Sequence, residues 1–386
     1  MLIHTVRAGD TIFGIAKKYG VPPSKIIEYN DLKNPDRLPV GLEVLIVMPT
    51  RYYAARRGEG AEDIAKRFGI EKRALKRANP YLTMSGKACA DEVVTVKCDA
   101  PQHASILLNG QLYRGYDPKR LDMALEYAKY ITISSHKVSR GEICRAFDDR
   151  HAIKSILSAG GTPIMRIFDP NMKSTLENFG EKFTRDAINT AKSHGYRGIA
   201  FTPSDAGDDD KICEVLLNIK RQMMECGLLF FIEDDRYTKA HDIADAVVVR
   251  YEKCHLADIP SFLLGEERHF SDYADKGESI KAFMDFSPFA FAAGDQITKR
   301  DAVELAYRYG AEIDADKESL ICRFEYGKKD KQNCSFESLE NIKAKLELLS
   351  ELGFMGMSFD VTRCPIEHLI MCLCEFSLCD YSSFEI

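Results

Sequence analysis

The chain writes one short passage twice near its N-terminus. With Gly9 set against Gly58, Ile15-Ala16-Lys17-Lys18-Tyr19-Gly20-Val21 falls on Ile64-Ala65-Lys66-Arg67-Phe68-Gly69-Ile70, and Asn30 falls on Asn79. A repeat this short obliges the segment to form one small supersecondary unit and then to form it again. Each copy reads as strand, helix, helix, strand. In the first, Thr5-Val6-Arg7 is extended, Gly9-Asp10 turns, and Thr11 caps a helix whose apolar face is Ile12, Ile15, Ala16 and Tyr19. Gly20 stops that helix, Pro22-Pro23-Ser24 starts the next, and Val44-Leu45-Ile46-Val47 closes the unit. The second copy, Tyr53 to Cys98, carries Glu59-Gly60-Ala61 where the first has Asp10-Thr11-Ile12, so the side-chain cap is lost.

After Asp99-Ala100-Pro101 the pattern changes to apolar strands alternating with amphipathic helices, which predicts a parallel α/β structure. Expected strands are Ser105–Leu108, Tyr130–Ser134, Pro163–Phe168, Gly198–Phe201, Leu228–Ile232, Ala246–Arg250, Ala282–Phe286 and Gly356–Phe359. Eight such strands fit a closed TIM barrel of the (β/α)₈ kind. Between the last two lies an α+β insertion, at about 296–338, in which Asp301 to Ala306 is helical and Ser319–Glu325 pairs with Asn333–Phe336. The expected organisation is therefore residues 1–50 and 51–99 as two βααβ repeats, followed by a barrel over 101–386.

The first repeat, from His4-Thr5-Val6-Arg7-Ala8-Gly9-Asp10-Thr11-Ile12 through Asn30 to Gly41-Leu42-Glu43-Val44-Leu45-Ile46, resembles a LysM domain nearly end to end. That resemblance implies binding of N-acetylglucosamine-containing polymers. The groove would lie between Gly9, Asp10, Thr11 and Ile12 on one side and the loop from Asn34 to Val40, with Leu38 and Pro39, on the other. The second repeat resembles a degenerate copy whose sugar-facing loop is altered.

The barrel resembles glycoside hydrolase family 18, in the LysM-bearing spore germination and cortex-lytic branch. The likeness rests on Leu108-Asn109-Gly110, Gly195-Tyr196-Arg197-Gly198-Ile199, Tyr251-Glu252, Ala302 to Ile313 and Glu340 to Leu346. Family 18 chemistry uses an acid at the end of strand four, with the substrate's own acetamido group as nucleophile. The family pattern Asp-Gly-x-Asp-x-Asp-x-Glu lands on Arg197-Gly198-Ile199-Ala200-Phe201-Thr202-Pro203-Ser204, and only the glycine survives. Thr202 stands where the orienting aspartate belongs and Ser204 where the acid belongs. No confident catalytic residue remains. Substitutes within reach of the strand ends are Asp205, Glu233, Tyr251, Glu252, Asp285 and Asp360. Asp360 occupies the place of the family's sugar-stacking tryptophan, and the chain contains no tryptophan.

Bulk properties narrow the function classes. A net charge of -6 with 29% charged residues excludes a basic nucleic-acid binder and suits a neutral sugar polymer. No run approaches the roughly 18 apolar residues of a membrane span. Met1 leads directly into a strand pattern without the apolar core of a secretory signal, which predicts cytoplasmic synthesis and, with the resemblance, association with a spore surface or cortex. Twelve cysteines are scattered, and Cys364, Cys372, Cys374 and Cys379 lack paired zinc spacing, so neither metal nor cofactor is expected. Three functions follow: a wall-binding protein with an inactive barrel, a glycosidase with relocated acids, or a scaffold without glycan binding. Other spore coat proteins are candidate partners.

Overall fold

The computed structural model describes residues 2–48, 51–97, 106–202, 210–234, 243–250, 280–285, 290–317, 319–351 and 353–376. The first repeat runs β1 (Leu2–Thr5), α1 (Ile12–Tyr19), α2 (Pro23–Tyr29) and β2 (Glu43–Ile46), with β1 antiparallel to β2. Helix α1 begins where Thr11 Oγ1 accepts from the Gly14 N–H at 3.0 Å and ends where Gly20 adopts the left-handed region. Asn30 then brackets the closing strand: its Oδ1 accepts from the Leu45 N–H at 2.6 Å while Nδ2 donates to the Ile26 and Leu45 carbonyls.

The second repeat keeps this plan with one addition. It runs β3 (Arg51–Ala54), α3 (Ala61–Phe68), α4 (Lys72–Arg77), α5 (Pro80–Ser85) and β4 (Val93–Lys97), so it is not a two-helix unit as expected. Pro80 at the first helical position and Gly86 in the left-handed region start and stop the extra turn. Asn79 repeats the bracket of Asn30, accepting from the Thr95 N–H at 2.8 Å and donating to the Leu75 and Thr95 carbonyls. The two repeats share a buried interface in which Lys25, 2% exposed, donates to Glu28 at 2.5 Å and Asn79 at 2.7 Å.

The barrel and its helices follow as β5 (Leu107–Leu112), α6 (Pro118–Ala124), β6 (Tyr130–Ser139), β7 (Glu142–Arg145), α7 (Arg150–Ser158), β8 (Thr162–Phe168), α8 (Met172–His194), β9 (Gly198–Phe201), α9 (Asp210–Glu225), β10 (Leu229–Asp234), β11 (Ala246–Arg250) and β12 (Ile280–Asp285). The insertion comprises β13 (Ala290–Ala292), β14 (Asp295–Gln296), α10 (Lys299–Tyr309), β15 (Asp314–Ala315), β16 (Ile321–Tyr326) and β17 (Gln332–Glu337). The chain returns through α11 (Leu339–Glu351), β18 (Phe354–Asp360) and α12 (Ile366–Phe376). Eight parallel strands close in the order β5, β6, β8, β9, β10, β11, β12, β18 and back to β5.

Several expected strands prove longer, β5, β6 and β18 most clearly. Asn109-Gly110 lies inside β5, paired with Ser358-Phe359 of β18 and Tyr130-Ile131 of β6, and only glycine fits there, since a Cβ at Gly110 would stand 2.7 Å from Ile131 and 2.8 Å from Val361. Strand β6 continues to Ser139 and turns back as β7, a hairpin on the barrel rim. Period-two alternation sorts the strand residues into two cores. Leu107, Tyr130, Ile164, Ala200, Phe231, Val248 and Phe283 fill the barrel floor, while Ile131, Met165, Ile199, Phe201, Phe230 and Phe359 face the helices.

The insertion forms a five-stranded antiparallel sheet in the order β14, β13, β17, β16, β15, and it packs directly on the first repeat. Val6, Ile15, Val44 and Ile46 share one core with Ala302, Ala306, Ile313 and Phe336. Contact is close enough that a Cβ at Gly41 would fall 1.8 Å from the Ile313 carbonyl oxygen, and the Ile313 N–H donates to the Val40 carbonyl at 2.8 Å. Glu43, on β2, accepts from the Leu339 N–H at 2.6 Å and the Glu340 N–H at 3.3 Å, so the first repeat caps barrel helix α11.

Candidate functional site

Two regions carry the chemistry. On the first repeat, Gly9 takes φ +87°, and Asp10 Oδ2 accepts from the Arg7 N–H at 2.8 Å and lies 3.0 Å from His4 Nε2. The Arg7 N–H first, and then His4, hold the Asp10 carboxyl below its ordinary range. Asp10 and Thr11 thus shape the loop, Ile12 is buried beneath it, and Gly9 and Thr11 remain exposed to a ligand. In the second repeat Glu59 does the work of Asp10, accepting from the Arg56 N–H at 2.7 Å and from Tyr53 Oη at 2.8 Å.

The opposite loop is partly committed elsewhere. Asn34 Nδ2 donates to Glu304 Oε1 at 2.7 Å, the Val40 carbonyl serves Ile313, and Pro39 is buried. Asn34, Leu38 and Pro39 line a cleft of about 270 Å³ together with α10, Arg120 and the loop between β18 and α12. The resemblance sets this loop opposite Gly9 to Ile12, and in the structure the insertion stands against it as well.

Within the barrel, register defines what faces the mouth. Arg166 pairs with Ala200, and Phe231 pairs with Ala200 from the other side. The inward positions of β9 are therefore Gly198 and Ala200, with Thr202 next after the strand, and none of the three bears a carboxylate. The space over these small residues is occupied from the flanks. Arg166 on β8, 7% exposed on its side chain, meets Glu233 on β10, 1% exposed, at 2.5 Å, and a second guanidinium nitrogen donates to Ser134 at 3.2 Å. Thr202 Oγ1 is buried with no hydrogen-bond partner among the described residues. Sequence reasoning named Glu233 and missed Arg166, although an arginine inside the apolar strand Pro163–Phe168 demands a buried acidic partner.

Asp285 and Asp360 also sit buried at strand ends. Asp360 Oδ1 accepts from the Thr362 N–H at 2.8 Å and the Arg363 N–H at 3.1 Å, yet burial outweighs these bonds and raises its carboxyl above the ordinary range. The floor below is lined by a polar chain in which Thr132 donates to Asn109 at 3.1 Å and Gln111 donates to Ser358 at 3.1 Å. Ser204, Asp205, Tyr251 and Glu252 lie outside the described residues, as does Cys379. Among the described residues no group of His, Cys, Asp and Glu could hold a metal ion, and no helix is long and apolar enough to cross a membrane.

A LysM module built onto a closed (β/α)₈ barrel with an α+β insertion defines the class of the molecule. Residues 4–47 match the LysM domain family. The particular neighbours are more telling: over 97% of this chain and 98% of theirs, the fold is similar to the spore cortex-lytic enzyme SleL of Bacillus megaterium QM B1551, at 19% identity and TM-score 0.73. SleL of Bacillus cereus is similar over the same shares, at 18% identity and TM-score 0.73. A chitinase from Chromobacterium violaceum matches 69% of this chain and 98% of its own, at 14% identity and TM-score 0.56. No curated protein matches in sequence.

Proposed function

We propose that this chain binds N-acetylglucosamine-containing wall polymer, peptidoglycan foremost, in a spore-forming bacterium, and that its barrel has given up hydrolysis and serves binding or assembly at the spore cortex or coat. One observation carries the second half of this reading. The inward face of β9 offers Ala200 and Thr202 where the resembling enzymes need carboxylates, and the Arg166–Glu233 pair fills the flanks. At the acid position itself the sequence carries Ser204, whose hydroxyl does not donate a proton near neutral pH as a tuned carboxylic acid does, and loss of the general acid alone lowers rate on the order of 10²–10⁴. Glu233 commits an oxygen to the Arg166 guanidinium, which holds it on the flank of β9. The binding half rests on the LysM match and on the exposed Gly9 and Thr11.

A second reading, a glycosidase with a relocated acid, is favoured by Asp360, whose raised carboxyl is the property a general acid requires. The two are separated by incubating the purified chain with insoluble peptidoglycan and with a chromogenic N-acetylglucosamine oligomer. Sedimentation without release of chromophore or reducing sugar supports the first reading. Turnover abolished by Asp360→Asn or Asp205→Asn establishes the second. A folded chain that fails to sediment leaves only a scaffold. Thr202→Asp with Ser204→Glu, assayed beside wild type, asks whether restoring the family's acids restores cleavage.

A further inference from the structure

The cleft between the first repeat, the insertion and the barrel has walls from all three. Asn34 and Leu38 come from the loop that the LysM resemblance sets against sugar, α10 contributes Arg300, and Arg363 comes from the loop after β18. Its charges are not balanced as the rest of the chain would suggest. Every lining carboxylate has a partner inside the protein: Asp31 takes Arg120 at 3.1 Å and Arg300 at 3.2 Å, and Glu43 takes the α11 N–H groups. Glu304 takes Asn34, Glu367 takes Lys299 at 2.8 Å, and Asp301 takes Thr298. The cationic side has unmet capacity. Arg363, 47% exposed, has Nη1 on Gln296 at 2.5 Å and Nε 3.8 Å from Asp360 Oδ2, and the exposed Lys33 and Arg37 on the same lining meet no carboxylate among the described residues. In a chain of net charge -6, this is a basic pocket with its acids already engaged.

We infer that the cleft is a subsite for a carboxylate carried on an amino-sugar chain, continuous with the LysM loop. A neutral ring would lie along Asn34 and Leu38, and its acidic substituent would reach the guanidinium groups of Arg363 and Arg37. Guanidinium groups suit this role because their planar donors meet a carboxylate in two parallel bonds. The cleft's size accepts a substituent and part of one sugar, not a long strand. The inference rests on the proposed LysM binding and adds a selectivity to it: the chain distinguishes acid-bearing wall glycan from neutral chitin.

The test is calorimetric titration of the full chain with three soluble probes. These are N,N′-diacetylchitobiose, the disaccharide of N-acetylglucosamine and N-acetylmuramic acid, and the methyl ester of that disaccharide. The acid is expected to bind about tenfold tighter than its ester, with the advantage shrinking as salt rises. Arg363→Gln, at an exposed position, is expected to remove most of that advantage and leave chitobiose affinity unchanged. Equal affinity of acid and ester, or an advantage that survives in Arg363→Gln, overturns the inference while leaving the LysM reading intact. If none of the three binds to the folded chain, both fall together.

Discussion

Arg166 Nε stands 2.5 Å from Glu233 Oε2, and the pair bridges β8 and β10 across the strand that lies between them. It is possible only because that strand presents a methyl and a hydroxyl where longer acidic side chains would compete for the same volume.

Breaking the pair from one side should therefore be costly. Arg166→Met leaves a buried, uncompensated carboxylate and is expected to cost about 3–5 kcal/mol, while Arg166→Met with Glu233→Leu should recover most of it. Denaturant unfolding followed by tyrosine fluorescence reads both, and a single variant within about 1 kcal/mol of wild type would refute the buried pairing.

Asn30 and Asn79 make equivalent brackets, yet their replacements should differ. Asn30→Ala strips partners from Leu45 and Ile26 and is expected to cost about 2–3 kcal/mol. Asn79→Ala does the same to Thr95 and Leu75 and also deprives the buried Lys25 of an acceptor, so it should cost more. Comparing the two by thermal unfolding, equal losses would show that Lys25 does not depend on Asn79.

Glu43 should protect a helix in a different module. Glu43→Ala removes the acceptor for two N–H groups at the start of α11 and is expected to cost about 1 kcal/mol, with faster hydrogen exchange at Leu339 and Glu340. Glu43→Gln keeps an acceptor and should exchange near the wild-type rate.

A buried cluster behind β6 predicts acid sensitivity. His136 is 2% exposed, its Nδ1 lies 2.8 Å from Ser135 Oγ, and Tyr196 joins Ser135 to Asp149. Burial, reinforced by His194 and Arg145 and opposed by Asp149, lowers the His136 imidazolium from 6.5 to about 4. Between these values the unfolded chain takes up a proton that the native site refuses, so stability should fall as pH drops from 6.5 towards 4. Each pH unit in that window is worth up to ~1.4 kcal/mol. His136→Gln should flatten the slope; an unchanged slope would assign the effect to other groups.

Much of this architecture was legible in the residues. The duplication around Gly9 and Gly58 exposed the repeats, and apolar runs separated by amphipathic stretches located the barrel strands, because both signals are local periodicities. The third helix of the second repeat is too short to show a periodicity of its own: Pro80 and Gly86 bound only six residues. Arg166 escaped because its meaning depends on Glu233 and Ala200, which only barrel closure brings beside it. The same holds for Asp31 with Arg120 and Arg300, and for Glu43 with Leu339: each joins residues far apart in the chain, and neither partner has a local pattern of its own.

Because Glu43 begins in the LysM module and finishes the first turn of a barrel helix, the two are joined without slack. A wall strand gripped at Gly9 and Thr11 would present itself to the barrel mouth at one bearing, as a workpiece sits in a fixed jig, and any deletion of the first module would uncap α11 and strip the insertion of half its core.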